Sequence, residues 1–275
     1  MAARVTRSAS QRGSTSGAAS GGDDASRCLM LAMSHDELGV IVDGLADPLQ
    51  PVVAVALSST CKGLRTPLRA ALEVLKERHE KAKKLCDKVD HPRFRVRVAW
   101  LPHLAMLNWQ NKDFTASDMA TLAILLPWMP CLEELLLGHS FGDGCMPSLF
   151  ERLERGVAPS LTKLYIQNNN IGPAGAEALA AALRRGAMPK LMRLTLANNP
   201  TLGNQGAAAL GAVLRKRSVF ERLDLGVCGI GDEGVASLVD NLGKDDFKAL
   251  RSILLRNNNI TDAGMATLAA GYRNS

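Results

Sequence analysis

From Leu104 to Leu268 the apolar positions recur in one order. Two leucines stand three apart, an apolar residue follows two later, a polar or small residue three after that, then an apolar plug and a Gly–Leu pair four apart. The copy beginning at Leu161 is the most regular, with Leu164, Ile166, Asn169, Ile171, Gly175 and Leu179. An earlier copy holds Leu104, Leu107, Trp109, Lys112, Phe114, Asp118 and Leu122, and the next holds Leu132, Leu135, Leu137 and Ser140, with Phe141 displaced by one residue. Later copies hold Leu191, Leu194, Leu196, Asn199, an inserted residue, Leu202, Gly206 and Leu210; then Phe220, Leu223, Leu225, Cys228, Ile230, Gly234 and Leu238; then Leu250, Ile253, Leu255, Asn258, Ile260, Gly264 and Leu268. Successive copies start 28–30 residues apart, a period that signals a stacked-repeat architecture.

Alternate residues of a strand share a face, so Leu164 and Ile166 point into a core while Lys163, Tyr165 and Gln167 point out of it. Asn169 follows where the chain turns, and its short amide is expected to satisfy backbone groups buried between neighbouring coils. Ile171 plugs the corner. The stretch from Gly175 to Leu183 is rich in helix formers and sets Leu179 and Leu183 one turn apart. A strand with one returning helix cannot bury its own apolar side, whereas a stack of copies can. The pattern predicts an α/β solenoid: a horseshoe with parallel strands on the concave face and helices on the convex face.

The unit length, the Asn/Cys alternation at Asn169, Asn199, Cys228 and Asn258, and phrases such as Asn170-Ile171-Gly172-Pro173-Ala174-Gly175 and Gly229-Ile230-Gly231-Asp232-Glu233-Gly234 resemble leucine-rich repeats of the ribonuclease-inhibitor type. The resemblance covers roughly the C-terminal two thirds of the chain. It implies a horseshoe used for binding, without naming the ligand.

The first hundred residues have another character. Residues 1–28 are dominated by Ser, Ala, Gly and Arg and have few large apolar side chains, which reads as a disordered tail. Their acid-free start up to Gly22 leaves an organelle transit peptide as the alternative. Residues 29–90 read as a small helical module. Ser34 and Glu37 form a capping box ahead of Leu38, Ile41, Val42 and Leu45; Asp47-Pro48 opens a second helix; Thr66-Pro67 opens a third, with Leu68, Leu72, Leu75, Ala82, Leu85 and Val89 on one face. Asp36-Glu37-Leu38, Ile41, Leu45, Asp47 and the run Leu57 to Arg65 resemble a degenerate F-box, the helical module that docks on the adaptor of cullin-type ubiquitin ligases. Met33-Ser34 replaces the usual opening Leu-Pro, and Gly63-Leu64 lacks the usual aromatic. The resemblance would make Leu38, Ile41, Leu45, Leu57, Cys61 and Leu64 the adaptor-docking residues. The other reading of these helices is a cap over the N-terminal edge of the solenoid. Residues 91–275 form the solenoid of about six repeats, entered through the alternating run Arg93 to Trp100, which predicts an edge strand with Phe94, Val96, Val98 and Trp100 inward. Beyond Leu268 no polar cap follows, so the C-terminal edge is expected to be exposed or covered by a partner.

Composition narrows the function. Aromatics make up 4% of the 275 residues, as an aliphatic core of leucine layers predicts. Cys61, Cys86, Cys131 and Cys228 fall on apolar positions without a C-x-x-C pair, which predicts reduced, intracellular thiols, cytoplasmic or nuclear. No apolar run is long enough for a membrane span. The net charge of +6 admits an acidic partner, with the excess concentrated from Lys62 to Arg97; no stacking aromatics share the face of the arginines there, which argues against nucleic acid. His35, His79, His91, His103 and His139 are scattered, so no metal site is expected. Gly172-Pro173-Ala174-Gly175 and Gly203-Asn204-Gln205-Gly206 lack the Gly-Lys-Ser/Thr of a phosphate loop. A non-catalytic chain without cofactors is the expectation.

Stacked in register, the concave face would carry the columns Met106, Glu134, Lys163, Arg193, Arg222, Ser252 and Asn108, Leu136, Tyr165, Thr195, Asp224, Leu254. The expected partner site is Lys163, Tyr165, Arg193 and Arg222 with Asp224, Arg256 and Glu134, suited to an acidic protein surface; the alternative is a solvated face on which Asp224 and Glu134 neutralise the basic column. The leading expectation is an interaction scaffold, the target-recognition subunit of a ubiquitin ligase. Alternatives are a small-GTPase regulator, because Ran GTPase-activating proteins are built from similar repeats although six repeats and the lack of a long acidic tail depart from them, and a leucine-rich-repeat binder with no ligase link.

Overall fold

A computed structural model describes residues 55–56, 65–89, 96–239, 242–243 and 245–273. The helix expected from Ser34 and the adaptor-docking set Leu38, Ile41, Leu45, Leu57, Cys61 and Leu64 lie outside the described residues, and of the helix expected from Asp47 only Val55 and Ala56, both helical, are described.

Each repeat contributes one three-residue strand: β1 Met106–Asn108, β2 Glu134–Leu136, β3 Lys163–Tyr165, β4 Arg193–Thr195, β5 Arg222–Asp224 and β6 Ser252–Leu254. They form one parallel sheet in sequence order. Parallel pairing follows because every strand is returned by a helical segment: α2 Ala116–Leu125, α3 Cys145–Phe150, α4 Pro173–Arg185, α5 Gly203–Leu214 and α6 Asp232–Val239, with α7 Asp262–Arg273 after β6. Each helix packs on the next, which makes the convex layer. Between the layers Leu107, Leu135, Leu164, Leu194 and Leu223 form one buried column, and Trp109, Leu137, Ile166, Leu196 and Leu225 a second. Leu122, Leu149, Leu179, Leu210 and Leu238 close it from the helical side. Each such side chain contributes about 1.5–3 kcal/mol on burial, so a one-residue slip of a strand is excluded. In the last repeat Ile253, Leu255, Ile260 and Leu268 are only half-buried.

Neighbouring repeats also finish each other's helix ends. α4 starts at Gly172-Pro173 with no side-chain cap of its own. The carboxylate of Asp143, one repeat earlier, accepts from the amides of Gly172 and Gly175, each at 2.9 Å. Asn204 accepts likewise from Gly231 at 2.7 Å, and Asp232 from Thr261 at 2.8 Å. At the opposite ends Arg185 donates to the carbonyls of Phe150 and Leu153 behind α3, and Arg217 to those of Leu183 and Met188 behind α4. Arg185 and Arg217 are therefore structural caps.

At the front, α1 spans Arg65–Val89, where Thr66-Pro67 is expected to open a helix. Ala82, Leu85, Cys86 and Val89 join the same core as the first repeat, so this helix covers the solenoid's N-terminal edge. Lys88 binds the carboxylate of Asp118 at 2.7 Å and lies 5.6 Å from the Phe114 ring. Burial pushes the Asp118 carboxyl up, but its hydrogen bonds from Lys88 and Thr115 outweigh that and hold it below its ordinary range.

Of the run into the repeats the described part, from Val96, forms no edge strand: Val98–His103 is a 3₁₀ helix, with Val98 buried and Trp100 51% exposed. Pro102 has no amide to offer a ladder, and the segment closes its own turns, Trp100 N–H to Arg97 carbonyl and Leu104 N–H to Leu101 carbonyl. The Arg97 guanidinium covers the Trp100 ring at 5.5 Å. Cys131 is exposed rather than apolar-packed, because it sits in the turn before Leu132.

Candidate functional site

The concave columns stand in the register expected from the repeat: Glu134 beside Lys163, Lys163 beside Arg193, Arg193 beside Arg222, and Tyr165, Thr195 and Asp224 side by side in the next column. The middle residue of β1 to β5 is buried while its flanks face outward, so these side chains share one open surface.

Along the first column the charges are unequally compensated. Lys163 is bound to Glu134 at 2.5 Å, and that hydrogen bond holds its ammonium above the ordinary lysine range. Arg193 and Arg222 are exposed and adjacent, and among the described residues neither meets a carboxylate. Like charges on neighbouring strands, about 4.8 Å apart, weaken the sheet rather than support it.

A groove of about 480 Å³ lies one step along the strands from this column. Its floor and walls come from Tyr165, Gln167, Asn168, Thr195, Ala197, Asn198, Asp224, Val227, Arg256 and Asn257. The expected site therefore divides: Tyr165, Asp224 and Arg256 line the groove, whereas Lys163, Arg193, Arg222 and Glu134 form a separate charged strip beside it. The groove exists because one slot of the repeat changes size. Gln167 and Arg256 occupy it in two repeats, but Ala197 and Gly226 occupy it between them. Arg256 leans back over Gly226, its Cγ 2.9 Å from where a Cβ would stand, and Asp224 accepts from the Gly226 amide at 3.1 Å. Ala197, Gln167, Asn168, Asn198, Val227 and Asn257 were not legible as site residues from charge and aromatics; the two small residues, Ala197 and Gly226, between the long Gln167 and Arg256 in one slot were the available signal.

Behind the rim runs the buried amide ladder. Asn199, fully buried, accepts from the amides of Asn169 and Ile171 and donates to the carbonyls of Ile166 and Leu196. Asn169 does the same for Ser140, Phe141 and Leu137, and Asn258 for Cys228, Ile230, Leu225 and Leu255. Cys228 stands in for an amide where the insertion at Pro200 lets Leu202 N–H close on the Asn199 carbonyl instead. Its thiol donates to the Leu196 and Gly226 carbonyls, and burial pushes it up to about 11, which suits a structural rather than a nucleophilic cysteine. Among the described residues no group of three or more His, Cys, Asp or Glu could hold a metal ion, and no helix is long and apolar enough to cross a membrane.

Three stretches, residues 157–180, 218–239 and 250–269, match the leucine-rich-repeat family. The chain is 29% identical over 193 residues to the Tonsoku-like protein of Bos taurus, covering 69% of this chain and 14% of that protein. It is 32% identical over 169 residues to the ribonuclease inhibitor of Sus scrofa, covering 60% of this chain and 35% of the inhibitor. The chain thus spans well under half the length of the curated relatives it matches. Among solved structures it is similar to a chain of the Rad7 and Elc1 complex of yeast, with 16% identity and a TM-score of 0.40 over 91% of this chain and 64% of that one. The repeats are leucine-rich repeats, and the chain resembles ribonuclease inhibitor.

Proposed function

We propose that this chain is a non-catalytic protein-binding scaffold whose concave face captures an acidic protein surface through Arg193 and Arg222. The observation that carries this reading is the uncompensated arginine pair. Lys163 already has Glu134, but Arg193 and Arg222 stand side by side with no carboxylate among the described residues, an arrangement that costs folding energy and gains from an anionic partner. Arginine presents a planar fork of donors suited to carboxylates, and it is enriched among interface anchors.

The test compares proteins captured from a cell extract by the wild-type chain and by Arg193→Glu/Arg222→Glu. Captured proteins should be acidic, released by raising salt, and lost in the variant, whose melting temperature should not fall. Unchanged capture by the variant would sink the reading.

A second reading concerns the other end of the chain and is favoured by the F-box-like order from Asp36 to Arg65. In it the scaffold is the target-recognition subunit of a ubiquitin ligase, docking on the adaptor through Leu38, Ile41, Leu45, Leu57, Cys61 and Leu64. The full chain should then pull down a cullin-ligase adaptor, and Ile41→Asp should not. Absence of adaptor binding by the wild type leaves these helices with the capping role alone.

A further inference from the structure

Just before each rung of the amide ladder the backbone takes a left-handed turn. The residues there are Asn111 (φ 57°), His139 (56°), Asn168 (58°), Asn198 (63°), Val227 (57°) and Asn257 (53°). Asn and His are enriched in this region because their side chains tolerate it, whereas a β-branched side chain there is strained. Val227 alone breaks the rule, and it does so inside the concave groove. Strain kept at one point of an otherwise regular ladder points to a role in binding.

The groove surroundings define that role. Val227, Ala197 and the Tyr165 ring are its apolar surfaces. Asn168, Asn198 and Asn257 form a rim in which Asn198 donates to Asn168 at 2.6 Å, leaving the remaining amide groups without protein partners among the described residues. The lining comes from four successive repeats, so the groove crosses the strands over roughly 14 Å, the reach of about four extended residues. Such a channel fits extended backbone, whose N–H and C=O groups the amides can pair. The bare guanidinium groups of Arg193 and Arg222 run alongside.

Resting on the acidic-partner reading above, we infer that the groove holds an extended acidic segment of the partner, that Val227 and Ala197 select an apolar side chain in it, and that Arg193 and Arg222 take the carboxylates flanking that side chain. Val227 is the specificity-determining residue.

The test uses the full chain and two fluorescein-labelled acidic peptides of alternating Asp and Glu, identical except for a central Leu in one and Ser in the other, followed by fluorescence polarisation. The wild type should bind the Leu peptide about tenfold more tightly than the Ser peptide. Val227→Asn should remove that preference by weakening the Leu peptide about tenfold, while relief of the strained turn raises Tm by about 2–4 °C. Ala197→Gln, which fills the groove from its half-buried floor, should also remove the preference. The inference is overturned if wild type binds neither peptide or both equally, or if the preference survives in both variants. Arg193→Glu/Arg222→Glu separates the two readings. If it loses both peptides while wild type shows no Leu preference, only the Val227 inference falls; if it binds both as wild type does, the acidic-partner reading falls.

Discussion

Asn199→Ala is expected to destabilise the chain by about 3–5 kcal/mol, a large fraction of the stability of most domains. The Asn199 side chain is fully buried and bonds four backbone groups: the amides of Asn169 and Ile171, at 3.0 and 2.9 Å, and the carbonyls of Ile166 and Leu196, at 3.2 and 2.6 Å. Alanine strands the amides of Asn169 and Ile171 and the carbonyl of Ile166, leaves the Leu196 carbonyl only the Cys228 thiol, and opens a cavity between two coils. Each stranded group costs about 1–3 kcal/mol, reduced where water can enter. Aspartate at this site keeps the two accepted bonds but introduces a buried charge facing the Ile166 and Leu196 carbonyls, so Asn199→Asp should fare no better. Urea denaturation measures both. A loss below about 1 kcal/mol for Asn199→Ala would mean that the ladder is ornamental to stability.

The second large effect is Gly175→Ala, which ordinary helix propensity would predict to be stabilising by up to about 1 kcal/mol. The expected result is the opposite, a loss of about 2–3 kcal/mol. A Cβ at Gly175 would stand 2.3 Å from the Asp143 carboxylate oxygen and 2.9 Å from the Met146 side chain. The Asp143 oxygen is the one that accepts from Gly172 and Gly175. Crowding costs about 1–3 kcal/mol and a lost cap about 0.5–2, which together outweigh the propensity gain. The mechanism has its own check. In an Asp143→Ala background the same substitution should cost clearly less, because the main obstacle is gone and the cap is already lost. Equal cost in both backgrounds, read by thermal unfolding, would remove Asp143 from the account. The same steric logic holds at Gly264, where a Cβ would stand 2.2 Å from Asp232.

Those glycines mark the boundary of what could be read along the chain. Gly175, Gly234 and Gly264 recur in the repeat and were visible as positions, but the reason for them lies in a side chain roughly thirty residues away that only stacking brings close. The arginine caps are similar: Arg185 and Arg217 look like solvated charge in sequence and are tied to carbonyls of the preceding helix in space. The alternation through Val96, Val98 and Trp100 misled for a related reason, since a period of two says nothing about whether a neighbouring strand exists, and Pro102 with local turn closure decided for a 3₁₀ helix. In the candidate site, charge and aromatic content singled out Tyr165, Arg193 and Arg222 as candidates, but not the groove, which is a deficit of side chain at Ala197 and Gly226 and becomes visible only between longer neighbours.

By itself the sequence determined the repeat, the parallel order of the strands, their register and the inward leucine columns. A period of two within each strand and of 28–30 residues between repeats leaves one arrangement that buries every apolar position. Tertiary structure alone decided which charges are spent on helix ends, which arginines stay uncompensated, and where the concave face opens into a groove. These depend on distances between residues one repeat apart, and a linear pattern records the kinds of side chain without their separations.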